Sequence, residues 1–414
     1  GAFYDDFEDT GSGWSTTNTG ECSFGYTDAG GNGVYGVSPL TLNQVCIVGA
    51  PAPAQATGVY EVTAFKNGAS DGSVYGLGFA MDSPSARSVT QFYVFWVDPA
   101  SQKYLLQKHD KGNWTELNAL GDWQSSTAIV SADGDNRLKV RREGSEILLF
   151  VNGRVLERVV DSSLSANGFV GLLNWSAYAA PATAGFDDME INRIRTVYQE
   201  NFAQAGSGWF SGEQGVCQAS YTNGEYRTAT GPGYLCFFGA PLTGLPNGRF
   251  QTDVHREESF YQTAYGLYLK GDANYTAFYA FLVIPDTQQY ALMRYAEGSW
   301  QSFTWDPDLQ IGWLTSDKIN TSTSINQLKA EADGNLLRIF ANGTLLGSFT
   351  DSTPLTGTRF GVINWASQFD TAISDFDNVS ATAWDAGTSL VSAADAPSTP
   401  GSLPVPLENL LPIE

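Results

Sequence analysis

The residues of this chain whose types and spacing suit chemistry are few: 4 cysteines, 2 histidines and scattered carboxylates. Cys22 and Cys46 fall early in the first half, Cys217 and Cys236 early in the second. Four thiols suit either a zinc site or two disulfides. There is no Cys-x-x-Cys, and the histidines, His109 and His255, stand far from the cysteines in sequence, so disulfides are predicted. Gly68-Ala69-Ser70-Asp71-Gly72 has the Gly-x-Ser-x-Gly spacing of a hydrolase nucleophile. That serine would need a strained strand-to-helix turn and a histidine base. Nothing helical follows it, so a polar hairpin loop is the better reading. Glu331 and Asp333, and Glu143 with Glu146, are the nearest approach to the carboxylate pair of a glycoside hydrolase. Both sets flank hairpin turns and read as solvated. The chain is therefore expected not to be an enzyme.

The elements that must position these residues repeat. Phe7 with Gly11-Ser12-Gly13-Trp14 returns as Phe202 with Gly206-Ser207-Gly208-Trp209, and Cys46 with Gly49-Ala50-Pro51 as Cys236 with Gly239-Ala240-Pro241. Asn152-Gly153 returns as Asn342-Gly343, Asn174-Trp175 as Asn364-Trp365, and Phe186-Asp187-Asp188 as Phe376-Asp377-Asn378. Two tandem units are predicted, 1–195 and 196–384, followed by a tail, 385–414. The repeat selects the pairing Cys22–Cys46 and Cys217–Cys236, each closing a short loop and worth roughly 3 kcal/mol. Disulfides imply an oxidising compartment, hence export. The first residues have neither a basic nor an apolar leader, so any signal peptide is expected to be already gone.

Within each unit the pattern is β. Asn-Gly between β-branched runs signals hairpins, and no helical period persists. The expected fold class is all-β: two tandem antiparallel β-sandwiches of jelly-roll type plus an extended C-terminal tail. A net charge of −22 argues against nucleic acid as a partner. The longest apolar run, Phe278 to Ile284, is too short for a membrane span. Of 11 tryptophans, Trp14, Trp114, Trp123 and Trp175 match Trp209, Trp300, Trp313 and Trp365 across the repeat, which argues for a role in the fold. Trp96, Trp305 and Trp384 are unmatched and become the candidates for sugar stacking or subunit contact.

Tyr75-Gly76-Leu77-Gly78-Phe79, then Phe92-Tyr93-Val94-Phe95-Trp96-Val97, and a closing Gly171-Leu172-Leu173-Asn174-Trp175 resemble the concanavalin A-like lectin and glucanase superfamily. More narrowly, they resemble the laminin-G-like and 3-keto-disaccharide-hydrolase-like jelly rolls of bacterial surface proteins. The glucanase branch carries Glu-x-Asp-x-x-Glu, and Glu331-Ala332-Asp333 lacks the third carboxylate. Many sandwiches of this type hold a structural calcium ion where first and last strands meet. That makes Asp5, Asp6, Asp187 and Asp188 the expected ligands. The tail mixes prolines with Leu403, Val405, Leu407, Leu410, Leu411 and Ile413, so it is expected to be extended and to clasp a neighbouring subunit. These readings lead to a non-catalytic, self-assembling subunit of a cell-surface layer, sheath or filament. The alternative is a secreted carbohydrate-binding protein whose partner is a polysaccharide.

Overall fold

A computed structural model describes residues 3–67, 72–131, 134–165, 167–257, 263–308, 310–384, 391–392, 400–404 and 411–412. Its contacts divide the chain into two units, Gly1–Ile194 and Arg195–Glu414. Each unit is an antiparallel β-sandwich of two sheets. Among the described residues every regular element is a strand.

In unit 1 one sheet runs Arg154–Val160, Glu146–Val151, Asn136–Glu143, Gly58–Lys66, Ala184–Asn192, Gly33–Pro39, Cys22–Asp28, with Phe3–Asp5 also on Ala184–Asn192. The second runs Gln124–Ser125, Lys103–Asp110, Gln91–Asp98, Ser73–Met81, Phe169–Ser176, Val45–Gly49, with Asn113–Glu116 also on Lys103–Asp110. Unit 2 repeats both sheets. The Asn-Gly hairpin forms as its sequence requires: Asn152 and Gly153 both take positive φ, 52° and 74°.

The core lies between the sheets, where Tyr93, Phe95 and Val97 meet Leu138, Val140 and Leu149. The alternate residues of strand Gln91–Asp98, namely Phe92, Val94 and Trp96, are also buried, in a second apolar layer on the outer face of that sheet. That is why this strand reads as a continuous apolar run rather than an alternating one. Unit 2 has the same outer layer, with Phe278, Ala280 and Leu282. Cys22–Cys46 and Cys217–Cys236 are disulfides, each tying one sheet of its unit to the other, with Cα atoms 5.8 Å apart in both.

The C-terminal segment does not behave as the sequence suggested. Gly401–Pro404 pairs antiparallel with Tyr234–Phe237 of its own unit, with Leu403 opposite Leu235. Leu411–Pro412 pairs with Gln301–Ser302 at the other end of the same sheet. The expected clasp on a neighbouring subunit is corrected to intramolecular pairing, because the Tyr234–Thr243 edge offers a ladder within reach. Val405, Leu407, Leu410 and Ile413 lie outside the described residues.

Candidate functional site

The outer face of the second sheet of unit 1 carries a groove of about 540 Å³. Trp96, Trp114, Trp123 and Trp175 line it, with Gln107, Glu116 and Asn43 as its polar groups. Each side chain is placed by strand register. Trp96 faces Leu105 across the ladder, Val94 faces Gln107, and Gln107 in turn faces Glu116, so these residues share one face. Gly76, opposite Trp96, is required: a Cβ there would sit 2.8 Å from the indole ring.

The rings are braced. Trp96 Nε1 donates to Gln107 Oε1 at 3.0 Å, and its ring lies 6.4 Å from that of Trp175. Trp114 is 43% exposed, yet it leans on His109 at 4.7 Å and meets Phe92 edge-on at 5.6 Å. His109 stacks on Phe92, and its Nδ1 bonds the Thr90 carbonyl. His109 is thus a support for an exposed indole.

A groove of indole faces with an amide, a carboxylate and a neighbouring asparagine matches the chemistry of a sugar ring. The C–H face packs on the aromatics, and hydroxyls bond the polar rim. Sequence comparison across the repeat had assigned Trp114, Trp123 and Trp175 to packing. The structure places them in the groove beside Trp96, which is itself only 1% exposed and supports the groove rather than offering a free face. The signal that finds them is the doubly apolar strand, which shows that the outer face is also built.

Of the other candidates, Trp384 is fully buried, with the Arg249 guanidinium 5.1 Å from its ring centroid, so the expected ligand or subunit contact there is corrected. Trp305 is half-buried in the loop between Ser299–Ser302 and Leu314–Thr315. The terminal strands do pair, with Asp5 opposite Met189. Their carboxylates are otherwise engaged. Asp5 accepts from Trp14 Nε1 and the Phe7 amide, both at 2.8 Å, and Asp6 accepts from the Glu8 amide at 3.3 Å. Asp187 accepts from Asn32 Nδ2 at 2.6 Å, and Asp188 from the Tyr4 hydroxyl at 2.8 Å. The bond to Asp188 helps push the Tyr4 hydroxyl up to about 12. Among the described residues these four acids do not form a group of three convergent ligand atoms, and their bonds brace the terminal strands. The cluster that does form is Glu225, His255 and Asp375.

No protein-family model and no curated protein sequence matches the chain. Solved structures do. A carbohydrate-binding module of Bacillus subtilis is 19% identical with a TM-score of 0.33, over 43% of this chain and 95% of its own. A Bacillus licheniformis β-glucanase is 13% identical at 0.35, over 45% and 97%. A galectin-like protein of unknown function from Bacillus subtilis is 12% identical at 0.35, over 46% and 100%. Each match covers less than half of this chain. The matches also include a β-1,3-1,4-glucanase from a mouse hindgut metagenome and a Thermotoga maritima laminarinase domain. The expectation that the chain is not an enzyme is corrected by this set. Several of the matching solved structures are glucanases or other glycoside hydrolases.

Proposed function

We propose that the chain is an exported carbohydrate-binding protein and that the tryptophan groove of unit 1 takes a neutral glycan. The observation that carries this reading is the exposed, braced Trp114 in a groove with three further indoles and a polar rim. Glu116 in the lining and the net charge of −22 disfavour anionic polysaccharides by like-charge repulsion. The two disulfides support export. The assembly reading loses its main support, because the described pairings of the C-terminal segment are within its own unit.

The test is calorimetric titration with soluble β-1,3-glucan and β-1,3-1,4-glucan, with carrageenan as the anionic control. Binding of a neutral glycan is expected. Trp114→Ala should weaken it about tenfold, roughly 1.4 kcal/mol. Assay of reducing ends in the same samples decides whether binding leads to cleavage. Absence of binding across a wider neutral panel, or undiminished binding by Trp114→Ala, would remove the groove from the function.

A further inference from the structure

Unit 2 holds a group of side chains that no part of the groove uses. Glu225 lies on strand Glu225–Thr230, His255 on Gly248–Arg256, and Asp375 on Ala372–Ala383, which runs between the other two. Asp375 is opposite His255 on one side and Arg227 on the other. One ligating atom from each of Glu225, His255 and Asp375 lies within 4.8 Å of the others. The sheet fixes all three backbones, so little ordering is left to a ligand.

The hydrogen bonds of His255 are informative. Its Nδ1 lies 3.3 Å from the Arg256 carbonyl oxygen, which only accepts, so Nδ1 carries the proton. Its Nε2 lies 3.0 Å from Glu225 Oε1, also an acceptor when ionised. In the neutral ring, two lone pairs would therefore face each other. A second proton on the ring or a metal ion between the two atoms removes that repulsion. An imidazole whose far N–H is tied to a backbone carbonyl is the arrangement that metal-ligating histidines adopt.

The surroundings favour a cation. Asp375 is almost fully buried, and Arg227 grips it through Nε at 2.8 Å and Nη2 at 2.9 Å, which fixes the carboxylate plane. Glu257 contacts the same guanidinium at 2.6 Å, so the single charge of Arg227 is shared between two acids, while Glu225 adds a third. In unit 1 the aligned positions are Val34, Phe65 and Gly185, as the register of Tyr35 on Phe186 and of Phe65 on Gly185 requires. All three oxygen and nitrogen donors are thus particular to unit 2.

We propose that Glu225, His255 and Asp375 form a binding site for one divalent transition-metal ion, with zinc the best match to one imidazole and two carboxylates. Donors 3.0 Å apart, as Nε2 and Oε1 are, can both reach an ion at about 2.1 Å, and water completes its shell.

The experiment uses the untagged full chain, stripped with chelator and titrated with zinc chloride by calorimetry near pH 7.5, and with cobalt(II) followed by its visible absorption. One ion per chain is expected, with micromolar affinity. Glu225→Gln and His255→Asn should each weaken zinc at least tenfold. His109→Asn removes the only other histidine and should leave affinity and cobalt spectrum unchanged. Tryptophan fluorescence establishes that each variant is folded; Glu225→Gln keeps the side-chain shape at a half-buried position. No zinc binding, or equal binding by folded Glu225→Gln, would overturn the proposal and leave an imidazolium–carboxylate pair only.

Discussion

The same outer sheet face is built twice and ends differently. Trp114, Trp123 and Trp175 of unit 1 align with Trp300, Trp313 and Trp365 of unit 2. Between them, Trp96, Gln107 and Glu116 align with Leu282, Met293 and Ser302, as the registers Val94 on Gln107 and Ala280 on Met293 show. Unit 2 has thus replaced the polar donors and acceptors of the groove with apolar or small groups. Its Trp313 and Trp365 are only 7% and 5% exposed. Leu403 packs against that layer, and Gly401 comes so close to it that a Cβ would lie 2.6 Å from the Tyr275 ring. Matching indoles therefore do not by themselves leave an open groove. Access and a polar rim distinguish the face of unit 1, and in unit 2 Leu403 packs against the apolar layer instead.

The largest effect should be the one that does not distinguish the units. Both disulfides tie equivalent strands and close loops of similar length, with separations of 24 and 19 residues. Replacing Cys22 and Cys46 by alanine should cost about 3 kcal/mol, and replacing Cys217 and Cys236 about the same. Urea unfolding followed by fluorescence measures both. A clearly unequal loss would show that the two frameworks are not equivalent.

A smaller, one-sided effect is expected at the tail. Leu403→Asp puts a carboxylate against the outer layer of unit 2 and forfeits a partly buried leucine, a loss of about 1–2 kcal/mol. Unit 2 should unfold earlier, and glycan affinity at the groove of unit 1 should stay as it was. If affinity changes as well, the tail acts on more than its own sheet.

Much of the fold was legible because its signals are local. Asn152-Gly153 needs positive φ at both residues, and few other dipeptides take it so readily. The repeat fixed which cysteines pair. The groove was harder to read. Matching tryptophans across the repeat equates positions, but their exposure depends on what covers the sheet. In unit 2 one residue packed against that layer, Leu403, comes some forty residues after Trp365 in the chain. Glu225, His255 and Asp375 were not legible at all. Their spacing means nothing until the strand order sets Ala372–Ala383 between Glu225–Thr230 and Gly248–Arg256. The bond partners of Asp5 and Asp188, the Trp14 indole and the Tyr4 hydroxyl, likewise cannot be inferred from spacing.

The smallest expected effect tests a difference on the other sheet. In unit 1, Arg137 pairs with Glu61 at 3.2 Å and Glu190 at 2.8 Å, and it donates to the Asp188 carbonyl at 2.6 Å. The aligned residues of unit 2 are Gln327, Gln251 and Ser380, and a cavity of about 500 Å³ opens beside Gln251 and Ser380. Arg137→Gln makes unit 1 resemble unit 2 here. The arginine side chain is 26% exposed and its partners 17% and 26%, so solvent screens the ion pairs and the loss should be about 1 kcal/mol at most. Added salt should shrink that loss, since an exposed pair at about 1 M ionic strength is screened within roughly 3 Å. Urea midpoints at low and high sodium chloride check this. A loss that salt leaves unchanged would assign the stabilisation to the hydrogen bond with the uncharged Asp188 carbonyl. Unit 2 would then differ from unit 1 by a missing backbone anchor rather than by a missing charge.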